Sequence, residues 1–478
     1  MRKTKIVCTL GPANDDPNVL RAMIAAGMDV ARFNFSHGNH EEKKEKIADI
    51  KAISEEMGVT VALLADTRGP EVRLGLFAGG KAQLTDGSSF TLTSDDIVGT
   101  AERASITYAG MIKDIRPGNR ILLDDGLIEL TVENCSKTDI LTRVVNGGII
   151  RDRKSVNVPG VSLNMPYISA QDRADLRFIS ENGFHFLAAS FVRCEDDIRL
   201  LREELHRMNG DHLRIIAKIE NAEGVRNTDA ILKVSAGLMV ARGDLGVELE
   251  FEDLPGIQKE LIKKAYQAGK NVITATQMLE SMVNNPRPTR AETSDVANAI
   301  YDGTSAIMLS AETSVGKFPV DAVRTMAKIA QRAENDIDYV ERFQTTLYKP
   351  ATSITNAISH ATVTTAHDLD VKAILIVSKS GDTACNVSKF RPACPLIVGS
   401  PDPVVVHQMK LEWGVFPLLT REESKGIDIF MGAIGAAKNG GYIRNGDLVV
   451  ITAGVPVGQS GTTNMLKVQE IGEERPVF

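Results

Sequence analysis

Cysteines, long apolar runs and basic clusters are all scarce in this 478-residue chain, and each scarcity narrows what it can be. The five cysteines, Cys8, Cys135, Cys194, Cys385 and Cys394, form no CxxC pair and no zinc spacing. An odd, scattered set suits a reducing cytoplasm. No apolar run approaches the ~20 residues of a membrane-spanning helix. The start is basic over residues 1–5, but only residues 6–10 follow before Gly11 and Pro12. That is too short for the apolar core of a signal peptide, so a cytoplasmic location is expected. A net charge of −7 and a pI near 5.8, with no basic run, argue against nucleic-acid and membrane-surface partners. There is no GxxxxGKS/T loop and no GxGxxG after a strand. Nucleotide binding must then rest on Arg, Lys and metal, for which Arg32, Arg73 and Lys154 are available. No credible Ser-His-Asp or Cys-His nucleophile set is found.

What is present is the composition of an ordinary soluble enzyme, 43% hydrophobic and 24% charged, long enough for two to four domains. Short apolar runs recur at 5–9, 29–33, 59–65, 184–190, 214–218, 237–241, 271–275 and 305–309, most of them followed by a helical pattern. Strand-helix repeats give a parallel sheet. Eight of them are the count of a closed (β/α)8 TIM barrel, with an open doubly wound sheet as the alternative. Residues 70–166 interrupt the series. Turn signals at 85–87, 117–118, 124–126 and 146–148 separate β-prone runs there. This predicts an inserted all-β domain over the barrel mouth, placed to act as a lid. The pattern restarts in the last third as an open α/β domain. The expected division is 1–69 with 167–344 as barrel, 70–166 as lid and 352–478 as the C-terminal domain.

Barrel enzymes carry their sites at the C-terminal strand ends. Here those ends bear Arg32 to His37, Asp66 to Arg68, Lys218 with Glu220, Arg242 to Asp244, and Thr276. Lys218 and Glu220 are two apart, so they share one face of a strand. A cation and a carboxylate at the end of an apolar strand must be paired or bind an ion. Glu220 and Asp244 are hard oxygen ligands on neighbouring strands, suited to Mg²⁺. Lys218 beside them could neutralise a phosphoryl group in flight. Gly243 would let the backbone approach a ligand. Asn34, Ser36, Asp66 and Thr67 offer one carboxylate among neutral oxygens, which suits a monovalent cation. Local sequence alone favours Ser36 as a helix cap, a role Asn39 with Glu42 could also fill, and His37 as a turn residue.

The strings ARFNFSHG at 31–38, DTRGPE at 66–71, AKIEN at 217–221, MVARGDLG at 239–246, TATQMLES at 274–281 and NPRPTRAE at 285–292 resemble pyruvate kinase of the bacterial type, in that family's order and over essentially the whole chain. The resemblance implies phosphoryl transfer from phosphoenolpyruvate to ADP, giving pyruvate and ATP, in a homotetramer with Mg²⁺ (or Mn²⁺) and K⁺. It implies that Glu220 and Asp244 hold Mg²⁺ and that Lys218 stabilises the phosphoryl and the enolate. Arg32, Gly243, Asp244 and Thr276 match substrate contacts, with Lys218, Arg32 and Thr276 as the catalytic set. Asn34, Ser36, Asp66 and Thr67 match the K⁺ site, which overrides the local reading of Ser36. Asn34 to His37, Arg73 and Lys154 match the nucleotide side. A glutamate at position 71 goes with K⁺ dependence in this family, and a lysine with independence.

Some positions depart from the family pattern. Cys194 stands where many relatives have a lysine on the nucleotide side, and Arg68 replaces a frequent lysine. The segment 378–383 resembles the family's effector loop, with Ser378, Ser380, Gly381 and Thr383 as anion contacts for a sugar phosphate or AMP. Asp382 puts a negative charge where relatives often carry a basic residue. Two other classes share parts of this pattern. One is a Mg²⁺-dependent aldolase or lyase acting on an oxoacid enolate. The other is a sensor of phosphometabolites without turnover, against which intact Lys218, Glu220 and Asp244 speak.

Overall fold

Along each of eight strands, every second side chain faces a common axis. The inward set Val7, Val30, Ala62, Leu64, Phe186, Ala188, Ile216, Met239, Ile273, Ala306 and Met308 packs into one buried core. The outward set, including Ile6, Cys8, Leu63, Leu187 and Ile215, packs against the surrounding helices. Strands apolar on both faces must be covered on both, which a closed parallel barrel ringed by helices achieves. The computed structural model describes residues 1–345, 353–422, 426–455 and 463–472. The barrel strands are β1 (Lys5–Thr9), β2 (Val30–Asn34), β3 (Ala62–Asp66), β4 (Phe186–Ala189), β5 (Arg214–Ile219), β6 (Gly237–Ala241), β7 (Asn271–Ala275) and β8 (Ala306–Leu309). They close in sequence order, all parallel, with β1 paired to both β2 and β8. This excludes the open doubly wound sheet. The helix His40–Met57 starts on Asn39 and Glu42, whose side chains and backbone amides bond reciprocally, so Ser36 is released from capping.

Between β3 and the helix Ala170–Glu181 lies a separate unit with its own core, built on Leu74, Phe90, Leu92, Ile121, Leu130 and Ile140. Its main sheet has six strands, antiparallel except for one pair. One helical turn, Met111–Asp114, is the only helix longer than a 3-10 turn among its described residues. Asp124, Asp125 and Gly126 all take positive φ in the turn before Ile128–Cys135, and this Asp-Asp-Gly signal was legible in the sequence.

The C-terminal unit is a five-stranded sheet with helices on its faces: β9 (Ala373–Val377), β10 (Leu396–Ser400), β11 (Val415–Leu419), β12 (Leu448–Gly454) and β13 (Thr463–Glu470). Its order is β11-β10-β9-β12-β13, and β13 runs antiparallel at the edge. The sequence reading had no counterpart for β13. The expected limits of this unit, 352 and 478, lie outside the described residues. It closes the N-terminal end of the barrel: Leu411 joins the barrel's inner core, and Lys5 Nζ donates to Val415 O at 2.5 Å.

Candidate functional site

On β5 the inward file runs Ile216, Lys218 and then Glu220, from the apolar barrel interior to its C-terminal mouth. Both charged residues are buried, Lys218 at 8% exposure and Glu220 at 1%. Their charges are met at once. Lys218 Nζ lies 2.9 Å from Glu220 Oε1 and 3.0 Å from Asp66 Oδ1, and it donates to Ser190 Oγ at 2.7 Å. The three N–H bonds of the ammonium are thus fully used. Asp66 turns its other oxygen to Arg32, whose Nε donates at 2.7 Å, while Arg32 also bonds Thr9 Oγ1 at 2.8 Å. Glu220 Oε2 accepts from the Phe191 amide at 2.6 Å, with Phe191 held at φ +55°.

Burial opposes the charge on Lys218, but Asp66, Glu220 and Asp244 outweigh it and raise its pKa. Lys218 is therefore a permanent cation. Burial likewise opposes the charge on Asp66, yet Arg32 and Lys218 hold its carboxyl below the usual range. Glu220 goes the other way: burial, with Asp244 adding to it, pushes its carboxyl up against the pull of Lys218. Three carboxylates, Asp66, Glu220 and Asp244, face two cations, Lys218 and Arg32, so the mouth has negative charge to spare on the Glu220–Asp244 side. The Asp244 side chain has no hydrogen bond or ion pair among the described residues.

Thr276, directly after β7, sits at φ +69°, unusual for a β-branched residue. Such strain costs about 1–3 kcal/mol and has to be held in place by its surroundings. Arg242 does so, donating twice to the Thr276 carbonyl at 2.6 and 3.2 Å while both oxygens of Asp295 fix its guanidinium. The Thr276 hydroxyl accepts from the Gly243 amide at 2.8 Å and donates to Ala275 O at 2.6 Å. A Cβ on Gly243 would only reach ordinary contact with Thr276, so the chain's own packing does not demand glycine there.

The candidate monovalent-cation residues lie side by side, since Asn34 and Asp66 are register partners on β2 and β3. Asn34 Oδ1 accepts from the Ser36 amide at 2.9 Å, and Thr67 Oγ1 accepts from the Ser190 amide at 3.1 Å. The nucleotide-side cations are on the inserted unit. Arg73 pairs with Glu71 at 2.8 Å and Lys154 with Asp124 at 2.7 Å. Burial first, and then Arg73 of the insert, lower the pKa of His37. A cleft of about 110 Å³ separates insert from barrel, lined by Glu71, Val156 and Met165 on one side and Phe191, Asn221 and Glu248 on the other. It flanks the Lys218 cluster rather than containing it.

The candidate effector residues are at the other end of the molecule. Their hydroxyls are engaged locally: Ser378 Oγ accepts from the Gly381 amide at 2.9 Å, Ser380 donates to Asp382 at 2.8 Å, and Thr383 meets Thr463 at 2.7 Å. Gly381 has φ +85° and is filled against Met409 and Arg214, which reaches over from the start of β5 to the Ser380 carbonyl at 2.8 Å. Cys194 precedes the helix Glu195–Arg207 and gives it no side-chain cap. Sequence reasoning missed Ser190 and the positioning role of Arg242. Ser190 was findable, because it stands two residues beyond Ala188 in the inward file of Phe186 and Ala188, directly after β4. Among the described residues no helix is long and apolar enough to cross a membrane.

The family model "Pyruvate kinase, barrel domain" matches residues 1–323, and "Pyruvate kinase, alpha/beta domain" matches 356–469. The pyruvate kinase of Geobacillus stearothermophilus is 48% identical over 474 residues, covering 99% of this chain and 81% of that protein. That of Clostridium acetobutylicum is 46% identical over 472 residues, covering 98% of this chain and 100% of its own.

Proposed function

The chain belongs to the pyruvate kinase family, and from that premise we propose how its barrel mouth carries a phosphoryl group from phosphoenolpyruvate to ADP, leaving pyruvate and ATP. The observation that carries the proposal is the Lys218 ammonium, buried at the mouth and bonded to both Asp66 and Glu220. Glu220 and Asp244 would hold Mg²⁺ or Mn²⁺. The donor set fits: two hard carboxylate oxygens, one unpaired, leave room for substrate oxygens and water. No group of three or more acidic, His or Cys side chains among the described residues competes as a metal site. Asn34, Ser36, Asp66 and Thr67 would hold K⁺, one carboxylate among neutral oxygens. When bound, the ions supply positive charge to phosphoryl oxygens that must approach one another.

The chain's own groups do the rest. Lys218 gives up one of its carboxylate partners and turns that N–H to the transferring phosphoryl group, then to the enolate oxygen left behind. Arg32, already fixed by Asp66 and Thr9, meets the phosphoryl from the β2 side. Gly243 and Thr276 line the substrate on the β6–β7 side, together with Asp244. Asn34, His37, Arg73 and Lys154 receive the nucleotide, with the insert, residues 70–166, acting as a lid over the mouth of the barrel, 1–69 with 167–344, while the C-terminal domain, 352–478, stands at the barrel's opposite end. The enolate must then take a proton. The Thr276 hydroxyl is a poor acid at neutral pH, so it orients a water that delivers the proton.

We place the enzyme in the cytoplasm as a homotetramer. The loop of Ser378, Ser380, Gly381 and Thr383 would receive a sugar phosphate or AMP once Ser380 lets go of Asp382. Saturation curves for phosphoenolpyruvate with each effector test this, and an unchanged curve sinks it. The catalytic assignment is tested by following pyruvate formation from phosphoenolpyruvate and ADP. Lys218→Met should lose turnover by about 10²–10³-fold, as for loss of a donor to transition-state charge. Retained turnover would contradict it.

A further inference from the structure

We infer that Ser190 is a positioning residue that couples the monovalent-cation oxygens to the Lys218 ammonium. This rests on Thr67 belonging to the K⁺ set, as proposed above. Ser190 follows β4 directly and is buried, at 1% exposure. Each of its polar atoms has a partner. Its amide donates to Thr67 Oγ1 at 3.1 Å, its carbonyl accepts from the Tyr167 hydroxyl at 2.8 Å, and its Oγ accepts from Lys218 Nζ at 2.7 Å. Gly69 is fitted to it: at φ +73°, a Cβ there would stand 2.9 Å from Ser190 O and 3.0 Å from Ser190 Cβ. Gly69 begins the chain's path into the insert, so Ser190 is clamped between the β3 end and β5.

A hydroxyl has one proton, and here two acceptors compete for it. Thr67 O lies at 2.7 Å and Asp66 Oδ1 at 3.1 Å. Lys218 occupies the lone-pair side of Oγ, so the proton has these two positions. On Thr67 O, it leaves Asp66 Oδ1 to Lys218 alone. When the Thr67 oxygens are engaged elsewhere, the proton turns to Asp66 Oδ1 and competes there with Lys218. The ammonium is then freed to turn an N–H toward a phosphoryl oxygen. Ser190 thus offers a two-position element that both sites bias, which is what coupling requires.

The test is calorimetric binding of phosphoenolpyruvate with Mg²⁺ and no ADP, comparing K⁺ with tetramethylammonium. In the unsubstituted chain, K⁺ should tighten binding by about tenfold, within the usual range of coupling between sites. Ser190→Ala should reduce that factor to below about twofold, and Ser190→Thr, which keeps the hydroxyl, should restore it. A role confined to packing would leave the K⁺ factor unchanged in Ser190→Ala, and that result overturns the coupling. No K⁺ effect in the unsubstituted chain overturns the coupling and the K⁺ assignment together. Should Ser190→Ala fail to fold by circular dichroism, Ser190→Cys, with its weak S–H donor, carries the same comparison.

Discussion

The ammonium of Lys218 lies 3.0 Å from Oδ1 of Asp66, and both groups are buried. Asp66 also pairs with Arg32 at 2.7 Å, so this carboxylate bridges two buried cations, and whereas Lys218 also has Glu220, Arg32 has no other carboxylate partner among the described residues. Asp66→Asn should therefore be more than a loss of one ligand. Removing one partner of a buried pair typically costs about 3–5 kcal/mol, because the charge left behind is uncompensated. Chemical denaturation of Asp66→Asn should show a loss of that size, and a change within 1 kcal/mol, about the worth of an exposed ion pair, would contradict it.

Asp244 should behave in the opposite way. It has no partner among the described residues and raises the pKa of Glu220. Asp244→Ala should abolish pyruvate formation while leaving the unfolding midpoint where it was or slightly higher. Retained turnover would undo the metal assignment.

Dependence on K⁺ is a third expectation. Glu71 is half-buried and pairs with Arg73. Burial raises its pKa against the pull of Arg73, with Asp244 and Asp125 adding to the rise. Turnover should collapse when K⁺ is replaced by tetramethylammonium. Glu71→Lys should restore part of it by placing an ammonium near the missing ion. Full activity of the unsubstituted chain without K⁺ or NH₄⁺ would refute the site.

A fourth concerns acid stability, far from the mouth. His185 is buried, accepts from the Leu63 amide at 2.9 Å and stacks on His407 with ring centres 4.3 Å apart. Burial first, then His407, His212 and Lys51, lower its pKa to about 3. The unfolded chain binds this proton near pH 6.5 and the folded chain only near 3. Stability is thus full above about pH 6.5 and is lost as pH falls through that window, by at most about 5 kcal/mol. His185→Asn, whose Oδ1 can still accept from Leu63, should flatten the acid limb of the unfolding midpoint against pH. An unchanged limb would assign it to other groups.

Much of this was legible before the structure. The eight strands were, because runs apolar on both faces, each followed by a helix, have few stable solutions. Lys218 and Glu220 were, because a charge pair at the end of such a run must be paired or ligated. The partners that hold them were harder to see. Asp66 and Arg32 were read as separate ion and substrate residues, yet they join one network with Lys218 only because β2, β3 and β5 converge at the mouth. Ser190 is a common residue at the end of an apolar run, and its role lies in contacts across 28 and 123 residues of sequence. The strain at Thr276, held by Arg242, is likewise a tertiary property. The edge strand β13 was missed because its residues alternate between buried, half-buried and exposed without a clean apolar face.

The central claim is that Glu220 and Asp244 form the divalent-cation site beside Lys218. Paramagnetic titration with Mn²⁺ tests it most directly, with phosphoenolpyruvate present and with unfolding midpoints measured in parallel. The unsubstituted chain should bind one Mn²⁺ per chain at this site. Glu220→Gln and Asp244→Ala should each weaken that binding by more than about tenfold while remaining folded. Equal Mn²⁺ affinity in all three proteins would contradict the account.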